Sequence, residues 1–201
     1  MKGLFILLFC GFLLAQAEVW TIELKDRAED YGAGPKNMML HYSPRGIPPN
    51  VGCFVGHANL LSRDDRALMR FDLGELYLME RLPEIRTAWL EFSISSTAGE
   101  VSAHKLIIEH LDYQRNAFTK EDLVQPEATI VAEVPMKQGT VRLEVTDCIK
   151  RDLAGRCLFA PFRFSSTCGM APNATANPIG CHVKTPFDCA EDLPVLVLEW
   201  P

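Results

Sequence analysis

The side chains best suited to bind a ligand are aromatic and basic residues in predicted strands and loops. A flat aromatic ring can stack on the apolar side of a sugar, while nearby polar groups bind its hydroxyls. Trp89 is the leading candidate, because it alternates with Leu90 and therefore shares a strand face with Glu91. The alternative is that Trp89 covers the second side of a sheet, since tryptophan is highly buried on average. Three further candidate ligand-binding residues lie on an outer strand face, at strand edges or in loops: Arg70, Tyr42 and Tyr113.

The sequence contains none of the short motifs that mark common catalytic sites. It has no G-x-S-x-G, no H-E-x-x-H, no phosphate-binding glycine loop and no dinucleotide fingerprint. We expect His104 and His110 to be ordinary surface or half-buried residues. Asp64 and Asp65 offer carboxylate oxygens for calcium, but the flanking arginines repel a cation and favour a charged turn. We therefore predict a protein that is not an enzyme and needs no cofactor, with a small polysaccharide-degrading enzyme as the less favoured alternative.

The first residues have the organisation of a secretory signal peptide. A basic start precedes an apolar, uncharged run over residues 4–14, and Ala15 and Ala17 are small residues at the positions that a signal peptidase reads. The run is too short to cross a bilayer, although an uncleaved anchor is the alternative. We predict a signal peptide over residues 1–17 and one secreted, extracellular domain over residues 18–201, with no membrane insertion after cleavage.

The charge of the predicted mature chain argues against nucleic acid as a partner. Removal of residues 1–17 takes away one lysine, so that the 20 Lys and Arg residues become 19 against 26 Asp and Glu, a formal charge of −7. Binding to nucleic acid requires a basic surface. Asn173 begins an N-x-T glycosylation sequon in a segment that we expect to be an exposed loop.

The cysteines of the predicted mature chain are even in number, which in an exported protein predicts three disulfides. Five of the six follow residue 147, so the C-terminal loop region is expected to be the most cross-linked part, and the spacing does not choose a pairing. A zinc site that uses His182 beside Cys181 is the alternative. The six residues are Cys53, Cys148, Cys157, Cys168, Cys181 and Cys189.

The elements that must position these residues are mostly short strands. Residues 66–73 place Ala67, Met69, Phe71 and Leu73 on one side and Leu68, Arg70 and Asp72 on the other, which predicts one apolar and one mostly wet face. Residues 88–94 repeat this pattern. Thr146 or Asp147 is expected to cap one short helix through Leu153, and Gly155 to end it in the left-handed region. Many short strands with little helix predict an all-β fold, an antiparallel β-sandwich or jelly roll with one short helix and a disulfide-rich C-terminal loop region.

The order of these pieces resembles the DNRLRE-domain family, a group of secreted β-sandwich modules found mostly on extracellular and cell-surface proteins. The resemblance lies in the segments Asn50-Val51-Gly52 with Val55-Gly56, Arg66 to Leu73, Ala88 to Ile94, Val145-Thr146 through Leu153, and Pro194 to Leu198. It implies a single secreted domain of this family over residues 18–201. Because some members resemble carbohydrate-binding modules, it also implies a non-catalytic module that binds carbohydrate or an extracellular matrix or cell-surface component. The alternative is a structural or interaction protein of a secreted coat or complex that has no sugar ligand.

Overall fold

The fold is mostly antiparallel β-sheet with one α-helix, as seen in a computed structural model. The structure describes residues 17–24, 26–27, 38–42, 53–57, 64–112, 128–170, 178–184 and 193–201. The strands are β1 (Glu18–Glu23), β2 (Asp26–Arg27), β3 (Met38–Tyr42), β4 (Cys53–His57), β5 (Asp64–Asp72), β6 (Thr87–Ala98), β7 (Lys105–Leu111), β8 (Ala128–Pro135), β9 (Gly139–Glu144), β10 (Phe159–Ser166), β11 (Ile179–Val183) and β12 (Val195–Trp200). The helix is α1 (Thr146–Ala154), and two 3-10 turns span Gly74–Leu78 and Thr167–Met170.

The twelve described strands form one curled sheet in the order β1-β12-β6-β11-β4-β5-β10-β7-β8, with β9 beside β6 and β3 beside β5. The long strand β6 pairs with β12 over residues 87–91 and with β11 over residues 94–98, while β9 pairs with residues 89–94. The residues of β6 that pair with β9 overlap with those that pair with β11 and with those that pair with β12. Therefore β9 lies along one edge of β6, and β11 and β12 lie one after the other along the opposite edge. The pairing of β4 with β5 joins the half of the sheet around β6 to the half around β10.

The two halves of the curled sheet bury their apolar faces against each other. Phe92 of β6 meets Phe164 of β10 edge to face, with the ring centroids 5.0 Å apart. The predicted apolar faces are confirmed, since Ala67, Met69 and Phe71 are fully buried, as are the inward residues of β6. Period-two alternation therefore correctly predicts which residues of β5 and β6 face the core.

The predicted wet face of residues 66–73 is wrong. Leu68 and Arg70 are 0% and 1% exposed, so β5 is buried on both faces. The strand is central, with β3 on one side and β10 on the other. The Arg70 guanidinium lies 4.3 Å from the centroid of the Phe159 ring, which gives its charge an aromatic face to stack on.

The predicted short helix is confirmed, but both predicted end signals are wrong. No side chain caps the N-terminus of α1. Instead, the Thr146 hydroxyl accepts a hydrogen bond from the Ala88 backbone N–H at 3.0 Å and donates one to Glu144 at 3.0 Å. Gly155 has a φ of −77°, and the left-handed residue is Arg156 with a φ of 54°. Thr146 therefore ties the helix to β6 rather than capping it.

The five described cysteines are all buried, and no disulfide joins any two of them. Burial, together with the nearby Cys168, raises the pKa of the Cys181 thiol to about 12. Cys189 and Asn173 lie outside the described residues, so the predicted pairing and glycosylation stay predictions. Within the parts of the chain described above, no helix is long and apolar enough to span a membrane.

Candidate functional site

The candidate site is the outward side of β1, β12, β6 and β9, which we call the outer face. Cross-strand pairing aligns its side chains in rows, for example Thr21, Val197, Trp89 and Glu144. The outward residues of the four strands are half-buried or exposed, except for the buried Ser93. The outer face consists of Val19, Thr21, Glu23, Thr87, Trp89, Glu91, Ser93, Thr140, Arg142, Glu144, Val195, Val197 and Glu199.

Trp89 lies near the middle of the outer face and is half-buried. The guanidinium of Arg142 lies 4.4 Å from the centroid of its ring. The Nε atom of Arg142 is also 3.1 Å from Oε1 of Glu91, and the two side chains are 52% and 30% exposed. A cation on an exposed ring is worth about 0.5–1 kcal/mol, and an exposed ion pair about 0–1 kcal/mol. Arg142 is thus held weakly enough for a ligand to displace it from the ring.

A polar cavity of about 290 Å³ opens beside this cluster and shares Glu91 with it. Its size is close to the lower end of known ligand pockets, which span about 300–1,000 Å³. The hydroxyls of Ser93 and Thr140 lie 3.3 Å apart at its wall. The cavity is lined by Glu23, Glu91, Phe92, Ser93, Thr140, Leu193 and Val195. An aromatic ring, a guanidinium, carboxylates and hydroxyls therefore meet on one accessible surface.

Two carboxylates on the outer face are held by neutral hydroxyls. The Thr87 hydroxyl donates a hydrogen bond to Glu199 at 2.7 Å. The Thr146 hydroxyl, just beyond β9, donates one to Glu144 at 3.0 Å. Neither bond cancels a charge, so the outer face carries four glutamates and one arginine, a formal charge of −3.

The other predicted ligand-binding residues do not join Trp89. Arg70 belongs to β5 in the opposite half of the sheet and is buried, so its predicted outer-face position is wrong. Tyr42 ends β3 and pairs with Arg66, also in that half. Tyr113 lies outside the described residues. Arg142 and the cavity residues were missed because the alternation of residues 140–145 indicates their shared face but not that β9 pairs with β6.

A buried His–Asp pair is the second cluster of ionisable groups. Nε2 of His110 and Oδ2 of Asp152 are 2.8 Å apart, and the side chains are 0% and 3% exposed. The expectation that His110 is a surface or half-buried residue is therefore wrong. Burial raises the pKa of Asp152, and the hydrogen bond and charge of His110 offset this only in part. The hydrogen bond of this pair joins α1 to β7.

The metal alternatives find no support in the geometry. Cys181 and His182 point to opposite faces of β11, because successive strand residues alternate, so they do not chelate one ion. His182 packs against Phe54, with the ring centroids 5.0 Å apart. Asp65 is buried at 5% exposure, and the side chain of Asp64 lies outside the description. Among the residues whose side chains are described, no three His, Cys, Asp or Glu side chains converge as metal ligands.

No family model and no curated protein matches the chain. The resemblance to the DNRLRE-domain family therefore remains a prediction from the sequence segments alone.

Proposed function

We propose that this chain is a secreted, non-catalytic module that binds a glycan, or another component of the extracellular matrix or cell surface, through the outer face. The observation that carries the proposal is Trp89, half-buried on an open sheet face with Arg142 stacked on its ring and a polar cavity beside it. An aromatic platform with a few converging polar groups is a common arrangement of ligand sites. The resemblance to the DNRLRE-domain family supports the same function.

The proposal includes the predicted compartment and the finer architecture. We propose cleavage of residues 1–17, an antiparallel sandwich or jelly roll, and disulfides that cross-link the C-terminal loop region. The contact of Phe92 with Phe164 supports two facing layers.

The proposal is tested with Trp89→Ala on a glycan array and in affinity gels. Loss of a central aromatic contact costs at least about 2 kcal/mol, or about 30-fold in affinity. Leu158→Ala is the control, since Leu158 is 48% exposed and lies outside the outer face. We expect the control to bind as the wild type does, with both variants folded by circular dichroism. Binding to no glycan, or equal binding by Trp89→Ala, would refute the proposal.

A second candidate function is a structural or interaction role without a sugar ligand. It is favoured by exposed apolar side chains near the end of the molecule where Trp200 lies, namely Val19 at 61%, Leu78 at 84% and Leu82 at 41% exposure. A cavity of about 430 Å³ between Leu82 and Trp200 adds to this surface. Capture of a defined secreted partner that Leu82→Asp abolishes and Trp89→Ala does not would favour this role. Turnover of a polysaccharide panel, which we do not expect, would favour an enzyme.

A further inference from the structure

We infer that the outer face binds uncharged glycans more tightly than sulfated and uronic acid polysaccharides at low salt. This inference rests on the proposed function and names the ligand class of the same site. It follows from the positions of the carboxylates around Trp89, and not from the net charge of the chain. The specificity-determining residues are Glu144 and Glu199.

The two glutamates flank the aromatic platform from opposite sides. Glu144 of β9 is directly opposite Trp89 on β6. Glu199 of β12 is opposite Thr87, which places it diagonal to Trp89. Directly opposite side chains have Cβ atoms about 4.5–5.5 Å apart, and diagonal neighbours about 7–8 Å. A charged group on a sugar ring stacked on Trp89 therefore lies about 8 Å from each of the two carboxylates.

The ion pair on the outer face does not neutralise Glu144 or Glu199. Arg142 is the only cation among the outward residues of β1, β12, β6 and β9, and it pairs with Glu91. Glu144 and Glu199 instead accept hydrogen bonds from the hydroxyls of Thr146 and Thr87, which are neutral groups. Beyond the outer face, Arg86, Lys150 and Arg151 line the cavity that Glu144 also borders, and they offset part of this charge. A sulfate or uronate on the bound sugar meets the negative potential that is left, whereas a neutral hydroxyl can donate hydrogen bonds to the two carboxylates.

The size of the effect follows from Coulomb's law. One pair of like charges about 8 Å apart in water repels by an amount equal to about a twofold change in affinity when salt is low. Two such charges are therefore worth about fourfold at 10 mM salt. At physiological ionic strength the Debye length is about 8 Å, so most of this discrimination is lost.

The double variant Glu144→Gln/Glu199→Gln tests the inference. Glutamine keeps a carbonyl oxygen to accept the bond from each threonine hydroxyl, so the fold is retained. The control is Glu75→Gln/Glu100→Gln, which changes the net charge equally at two exposed positions outside the outer face. Binding to a neutral β-glucan, to a sulfated polysaccharide and to a uronic acid polymer is measured at 10 mM and 150 mM salt for both variants, the wild type and Trp89→Ala.

We expect the wild type to bind the neutral polymer with little dependence on salt. We expect the double variant, but not the control, to gain about fourfold in affinity for the two anionic polymers at low salt. If the wild type binds an anionic polymer as tightly as the neutral one, and Trp89→Ala abolishes that binding, the inference fails while the proposed function stands. If no polymer binds to any variant, both fail.

Discussion

The buried ion pair between Arg163 and Glu109 offers the sharpest test of the described packing. The two residues face each other on β10 and β7. Nε of Arg163 donates to Oε2 of Glu109 and Nη2 donates to Oε1, both at 2.8 Å. The side chains are 4% and 13% exposed. Replacement of Glu109 by alanine leaves a guanidinium without its carboxylate in a site with little water.

We expect Glu109→Ala to lower the free energy of unfolding by about 3–5 kcal/mol, because removal of one member of a buried ion pair takes away the main compensation for the desolvation of the other. Exposed ion pairs contribute only about 0–1 kcal/mol. The matched control is Glu133→Ala, which breaks the 2.9 Å pair with Lys105, whose side chains are 55% and 42% exposed. Urea unfolding followed by circular dichroism measures both variants. A loss below about 1 kcal/mol for Glu109→Ala, or equal losses for the two variants, would refute the buried pair.

The same pair predicts a dependence of stability on pH. Burial raises the pKa of Glu109, but the hydrogen bonds and charge of Arg163, with a further bond from Ser165, outweigh burial and hold it below its ordinary value. A carboxyl with a lowered pKa in the folded state stabilises the fold above its unfolded pKa of about 4.3. That stability is lost as the pH falls through the lower folded pKa. The control variant Glu133→Ala should keep this acid transition, whereas Glu109→Ala should lose part of it.

Two further predictions concern the interior. Asp152→Ala should lower the free energy of unfolding in urea by more than about 2 kcal/mol, because it leaves the fully buried His110 with no hydrogen-bond partner for Nε2. Asp152→Asn keeps an acceptor and should lower it clearly less. Equal losses for the two variants would contradict the role of this bond. Gly56→Ala should lower the free energy of unfolding more than Gly139→Ala does, by at least about 2 kcal/mol. Both glycines have positive φ, but the added methyl at Gly56 falls 2.3 Å from the Ile179 carbonyl oxygen, whereas the one at Gly139 meets nothing within 4 Å. Thermal melts of the two variants test this, and similar melting temperatures would count against the described contact of β4 with β11.

Local patterns in the sequence predict the strands but not their partners. Alternation identifies the inward residues of β5 and β6 because a side-chain period of two is a property of any strand. It fails for Leu68 and Arg70, since burial of the second face depends on what the fold packs against it. In the same way, Trp89 stands out by residue type, whereas Arg142 reaches its ring only because β9 pairs with β6 across some fifty residues.

The ends of the helix show a similar limit. Thr146 has the right chemistry for a cap, yet its hydroxyl bonds to Ala88 and Glu144 instead. His110 carries no sequence signal of burial, and its partner Asp152 is 42 residues away. Such contacts come from tertiary packing, which overrides local preference.

The pairing of β1 with β12 sets the timing of folding during synthesis. Glu18 lies opposite Trp200, so the first described strand finds its neighbour only when the last strand has left the ribosome. Until then β1 has an open edge, and β6 lacks a partner along residues 87–91. Contacts between such distant parts of a chain form slowly, because a large loop must close before they form.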